Sequence, residues 1–184
     1  YSIDAEKSIK AFYSIQDTVL PKLIKGTVYS VEQSGDFIAV LLDNYSGIDL
    51  IRHDDTGLQG IAWRAQYGGH DWGTFTIRSE RHTGAKTELA KRLDAIKGDG
   101  YFYPEFTMQA YFDNDVNFNC LSCAIIKTID LLNAYQNRPS IFGRRQSDNE
   151  FVYVHWSKLK TVKVWRATPA TAVKEPAQLK FFFK

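Results

Sequence analysis

Apolar residues recur at helical spacing near the start of the chain. Ile9, Phe12, Tyr13, Val19, Leu20 and Leu23 mark one side of residues 4–24, with Ser2 or Asp4 as a cap. Pro21 falls late in this stretch and either ends the helix or opens a second short one. After Gly26 the period changes. Thr27–Val31 reads as a strand, and Phe37–Leu42, apolar throughout, as a central one. Ile48–Arg52 and Leu58–Ala65 are strand-like runs joined by the turn-rich His53-Asp54-Asp55-Thr56-Gly57, which predicts a β-hairpin. Thr74–Arg78 follows a loop marked by Gly68, Gly69 and Gly73.

In the second half, Thr83–Ile96 predicts a helix with Leu89, Leu93 and Ile96 on one side and Lys86, Lys91 and Arg92 elsewhere. Gly98 and Gly100 end it. Phe106–Phe112 and Leu121–Lys127 read as strands, and Thr128 or Asp130 caps a short helix through Leu131, Leu132 and Tyr135. Gly143-Arg144-Arg145 reads as a basic loop, Phe151–His155 as a strand, Ser157 as the start of a turn and Val162–Trp165 as an edge strand. The order predicts an α/β (α+β) fold: a central mixed β-sheet with a β-hairpin at its core, flanked by helices. Residues 1–167 form one domain, and the Ala-, Thr- and Pro-rich 168–184 a loosely ordered tail.

Composition narrows the picture slightly. The 184 residues, 44% hydrophobic and 24% charged, suffice for one real core. Aromatics at 14% favour sheet and contact surfaces, whereas a net charge of +2 does not by itself imply a polyanionic partner. Cys120 and Cys123 are too close to staple a fold. No apolar run reaches membrane length and the first residues do not read as a signal peptide, so the expectation is a soluble, cytoplasmic chain without a membrane partner.

The hairpin carries the candidate chemistry. With residues 54–57 as the turn, His53 pairs with Leu58, and counting inward puts Asp49 opposite Ala62. Arg64 then shares the Ala62 face, because side chains alternate with period two. A carboxylate facing a cation across a hairpin suits metal-dependent phosphodiester chemistry: the acid holds Mg²⁺ and the cation steadies the phosphate. Basic residues reinforce a phosphate reading, with Arg78, Arg81, Lys86, Lys91 and Arg92 close together and Arg144-Arg145 apart. Trp63, Tyr67, Trp72 and Phe75 offer rings for stacking on unpaired bases. Each residue also has a bland role: Asp49 and Asp43 as turn acids, Arg64 in a surface ion pair, Glu88 on a solvated helix face, the aromatics in the core.

Gly47-Ile48-Asp49 and Ile61-Ala62-Trp63-Arg64 together resemble the PD-(D/E)xK nuclease superfamily, whose members place an Asp at the start of a hairpin and (E/Q)-x-K on the return strand. The shared element order spans residues 4–137. The resemblance implies an endonuclease-like phosphodiesterase acting on nucleic acid, DNA first, in a phage or mobile-element setting, or a degenerate relative that only binds. It assigns Asp49 and Asp43 to Mg²⁺, Arg64 to the scissile phosphate and Glu88 as replacement acid and metal ligand, with Glu6 as second choice. Arg78, Arg81, Lys86, Lys91, Arg144 and Arg145 become nucleic-acid contacts. Two departures stand out: Ala62 replaces a metal-binding acid or Gln, and Arg64 replaces Lys, which removes a proton-transfer group. The alternative is a non-enzymatic protein that binds nucleic acid or a host protein through its aromatic surface.

Other chemistries have weaker support. His53-Asp54-Asp55, His70-Asp71 and His82 match no ligand spacing, and Cys120-Leu121-Ser122-Cys123 has no second ligand pair. It leads into an apolar run, which favours buried thiols. No Walker loop, G-x-G-x-x-G or G-x-S-x-G is present.

Overall fold

A computed structural model describes residues 2–31, 42, 46–81, 83–98, 103–146 and 150–168. The N-terminal helical pattern forms α1 (Ser2–Gln16) and a short α2 (Leu20–Leu23) that Pro21 opens. Strand β1 (Thr27–Ser30) precedes the hairpin β2 (Leu50–Asp54) and β3 (Gly57–Gln66). The Phe37–Leu42 strand expectation lies almost wholly outside the described residues.

The hairpin closes where its turn chemistry directs. Asp54 Oδ1 accepts from Thr56 N at 2.8 Å, and Gly57 takes a φ of +116° that a side chain would resist. His53 pairs with Leu58 and Leu50 with Ile61, so the counted register holds as far as Leu50, where β2 begins; Asp49, expected opposite Ala62, lies before the strand. One step further in, Asp49 N donates to Ile61 O at 3.0 Å.

From β3 the chain crosses over through β4 (Thr74–Arg78) and α3 (Glu88–Lys97) to β5 (Pro104–Phe112), which lies parallel to β3. Helix α3 starts five residues later than the pattern suggested, because Thr87 is extended and its side chain accepts from Ala90 N. Strand β6 (Cys120–Lys127) runs antiparallel to β5 and passes directly into α4 (Thr128–Asn137). Thr128 does not cap this helix; its hydroxyl meets Thr107 Oγ1 at 3.0 Å. Arg144 and Arg145, expected in a loop, lie on β7 (Gly143–Gln146), which pairs with β8 (Glu150–His155). The edge strand is β9 (Lys163–Arg166).

Among the described residues the fold is mixed α+β, with helices flanking two sheets. The larger is a six-stranded mixed sheet in the order β1-β2-β3-β5-β6-β9, and the smaller an antiparallel β4-β8-β7. Alternation along the central strands gives the large sheet two apolar faces. Leu50, Ile61, Trp63, Met108, Cys123 and Ile125 pack against Phe12, Ile15 and Leu20. On the other face Tyr111, Ala124 and Ile126 meet Leu131 and Leu132 of α4 and Phe75, Ile77, Val152 and Val154 of the small sheet. Burying each such large side chain stabilises the fold by about 1.5–3 kcal/mol. No helix among the described residues is long and apolar enough to cross a membrane.

The two sheets are joined by polar side chains. Strand β4 is an edge of the small sheet, and the amides on its outer side have no ladder partner. Gln109 and Tyr111 of β5, both essentially inaccessible, supply the missing acceptors. Thr76 N donates to Gln109 Oε1 at 2.7 Å, and Thr74 N to the Tyr111 hydroxyl at 3.2 Å. That hydroxyl donates to Thr74 O at 3.0 Å and accepts from Gln109 Nε2 at 3.0 Å. Tyr111→Phe removes the hydroxyl and leaves the Thr74 amide and carbonyl buried without it. It is expected to cost about 1–3 kcal/mol in urea unfolding, and a change near zero would show the joint to be incidental.

Candidate functional site

Period two decides what the second face of the large sheet presents beside the joint. Leu50, Ile61 and Trp63 point towards α1, so Ala62 and Arg64 point the other way, under α3, and Asp49, just before β2, lines the same space. There a cavity of about 230 Å³ is lined by Asp49, Ala62, Arg64, Arg81, Glu88, Lys91, Arg92 and Gln109, among others. The structure thus brings together Asp49, Arg64 and Glu88, which lie far apart in sequence.

The acids are already engaged. Asp49 Oδ2 accepts from Trp63 N at 2.7 Å, across the mouth of the hairpin. Glu88, the first residue of α3, receives Arg81 at 3.1 Å and Arg78 at 3.3 Å on Oε1, while its Oε2 is buried without a hydrogen-bond partner. Arg64 lies over the Phe151 ring at 4.7 Å, and Arg78 over the same ring at 5.5 Å. Burial pulls the Arg64 guanidinium pKa down, and the charge of Glu88 opposes that shift.

Arg92 is the residue that the sequence pattern concealed. Placed away from the apolar side of its helix by that pattern, it is only 7% exposed and lines the cavity. Its Nε and Nη1 are buried with no hydrogen-bond partner. Burial lowers its pKa too, opposed by Asp49 and then Glu88. Position was the available signal: Arg92 lies four residues beyond Glu88, on the same helix face as the acid already singled out. Gln109, the other missed residue, is an amide at the centre of the apolar run Phe106–Phe112.

The remaining candidates separate. Arg81 and Lys91 line the cavity, and Arg78 reaches it through Glu88. Lys86 instead makes an exposed ion pair with Asp94 at 2.8 Å. Arg144 and Arg145 line a second cleft on the small sheet. Glu6 forms an exposed pair with Lys10 and does not reach the cavity. Asp43 and His82 lie outside the described residues. Of the four aromatics considered for stacking, Trp63 and Phe75 are core residues and Tyr67 packs against Phe112 and Phe118; Trp72 is 56% exposed.

No family model, characterised protein or solved structure matches this chain. The cavity must therefore be read from its own chemistry. Among the described residues its donor set does not fit a resident divalent metal. Ala62 offers no ligand atom, Glu88 Oε1 is held by two arginines, and Asp49 Oδ2 by a backbone amide. Among the described residues no three His, Cys, Asp or Glu side chains converge to hold a metal ion. Arg64, Arg81, Lys91 and Arg92 set four cations against two carboxylates on the cavity wall. Such a lining repels a cation and suits an oxyanion, which can take forked hydrogen bonds from guanidinium groups.

Neither thiol lines the cavity. Burial pushes the Cys120 thiol up to about 12, and Cys123, fully enclosed, well above its ordinary value. At pH 8 the Cys120 thiolate is then roughly one part in ten thousand. Iodoacetamide at pH 8 should leave buried Cys123 unlabelled and half-buried Cys120 slow to react in the native protein, and modify both after unfolding; rapid native labelling would contradict their enclosure. For Arg92 the expectation is a stability signature. Arg92→Met fills similar volume without burying unsatisfied guanidinium donors, so its urea stability should match wild type or exceed it by about 1–4 kcal/mol. Leu89→Ala on the same helix should lose about 2–5 kcal/mol. A comparable loss in Arg92→Met would make the arginine a structural element.

Proposed function

We propose that this chain is a nucleic-acid-binding domain on a nuclease-like scaffold, which takes a backbone phosphate into the cavity between the large sheet and α3. The observation that carries this reading is the buried guanidinium of Arg92, whose Nε and Nη1 have no hydrogen-bond partner, beside Arg64. A buried arginine with open donors is costly on its own, and an oxyanion supplies both the counter-charge and the acceptors. Arg64 rests on Phe151 and Arg92 hangs from α3, so the two forks approach the phosphate from different elements. Arg81 and Lys91 extend the cationic lining.

The hairpin with Asp49 at its mouth and Arg64 on its return strand supports the resemblance to PD-(D/E)xK nucleases. Ala62 and the engaged carboxylates favour the branch that binds without cutting. Asp49 then orients the Trp63 segment of β3, and Glu88 holds Arg78 and Arg81 in place.

Fluorescence anisotropy with labelled DNA and RNA, with and without Mg²⁺ or Mn²⁺, tests this reading. Arg92→Met should weaken binding uniformly across sequences and lower the slope of log K against log salt by about one. Asp49→Ala should bind at least as well as wild type, because it removes a negative charge. Metal-dependent cleavage that disappears in Asp49→Ala would overturn the non-cutting branch and return Asp49 to a metal. Failure of wild type to bind either polymer at low salt would overturn the nucleic-acid reading altogether.

A further inference from the structure

Strand β8 carries a second pattern on the face opposite its core residues. Val152 and Val154 are buried against the large sheet, so Phe151, Tyr153 and His155 share the other face. Phe151 underlies Arg64 of the phosphate cavity. Tyr153 and His155, with rings at 6.2 Å and nearly perpendicular, line a cleft of about 420 Å³ with Trp72, Thr74, Thr76, Gln66, Arg144 and Arg145. Thr76 lines both the cavity and the cleft. The partition between them is a hydrogen-bonded amide pair: Gln109 on the cavity side donates to Gln66 on the cleft side at 3.1 Å.

The rings are held in position. Gly143, opposite Tyr153 on β7, has no side chain, and a methyl group there would run into the Tyr153 ring. Trp72 stands on a pinned loop. Asp71 accepts from Gly73 N at 2.9 Å and pairs with Arg166 of β9, and Gly73 O accepts from Trp156 N at 2.8 Å. Its ring centroid lies 3.9 Å from that of His70, yet over half of the residue remains in solvent. The pre-positioned, exposed ring thus stands beside two exposed arginines in one cleft.

We propose that this cleft binds an unpaired nucleobase, next along the strand from the phosphate held by Arg64 and Arg92. The proposal rests on the phosphate reading of the cavity and extends it to single-stranded nucleic acid. Trp72 and Tyr153 supply the stacking surface, Arg144 and Arg145 meet the following phosphates, and Gln66 and Thr76 face the base edge from the shared wall. A base inside a duplex has both faces covered by its neighbours and cannot stack here, so the cleft selects unpaired strands. Stacking on one aromatic side chain is worth about tenfold in affinity.

The test measures binding of three probes to the full chain: oligothymidylate, an abasic oligodeoxyribose phosphate of equal length, and a duplex of equal length. Wild type should prefer oligothymidylate over both others. Trp72→Ala, a change at an exposed ring, should lower oligothymidylate affinity about tenfold and leave the abasic probe unchanged; Tyr153→Ala should do the same. Arg92→Met should weaken all three. Oligothymidylate bound no better than the abasic probe, or equally well by wild type and Trp72→Ala, would overturn the base cleft and leave the phosphate cavity standing. Loss of no affinity in Arg92→Met, with Trp72→Ala still defective, would overturn the phosphate cavity and leave the cleft. Binding of none of the probes by wild type would overturn both.

Discussion

Strand β4 enters a crossover between two parallel strands and pairs on one side with β8, so its other side must find acceptors elsewhere. Gln109 and Tyr111 provide them from within the large sheet, and much of the molecule follows from that arrangement. It sets the small sheet against the second face of the large one. It also brings Phe151 under Arg64 and leaves a space beneath α3. Two buried polar side chains on a central strand would ordinarily weaken a core. Here each polar atom has a defined partner, and the satisfied network fixes one relative placement of the sheets where apolar packing alone would tolerate several.

The hairpin was legible because its determinants are local. Asp54, Thr56 and Gly57 set the turn, the turn set the register from Asp54 to Leu50, and that register put Ala62 and Arg64 on one face; Asp49 slips to face Ile61 and not Ala62. That Glu88 joins them was inferred from resemblance, and the cavity does contain it. Periodicity also located β4, β5, β6 and β8 to within a residue or two. Pairing between distant strands left no such mark. Nothing near Thr74–Arg78 signals that its partner is Glu150–His155, and the turn-like composition around Gly143 hid a short strand at the far edge of that sheet.

Side-chain environments were the hardest to read. Trp63 and Phe75 are aromatic like Trp72, yet burial separates them because Trp63 packs in the core with α1 and Phe75 packs against Trp156. Arg92 reads as a solvated helix residue until the large sheet is placed beneath α3. Its burial is a tertiary fact with no local cause, and it is the kind of violation that concentrates at functional positions. The balance of charge follows from the same placement. Ala62, which offers no ligand atom, and the cation enclosed at Arg92 together leave a lining suited to anions.

The polar joint has a meaning in time as well as in space. During synthesis β4 is made well before β8, so Phe75 and Ile77 initially lack the strand that will cover them. A half-finished sheet with an open edge is the usual starting point for misassembly between nascent chains. Strand β5 is made in the interval, and its Gln109 and Tyr111 can claim the amides of Thr76 and Thr74 as soon as the parallel pairing with β3 forms. The side chains that join the finished sheets thus also serve as a clasp for the unfinished one, occupying one edge of β4 while the ribosome completes the strand for the other.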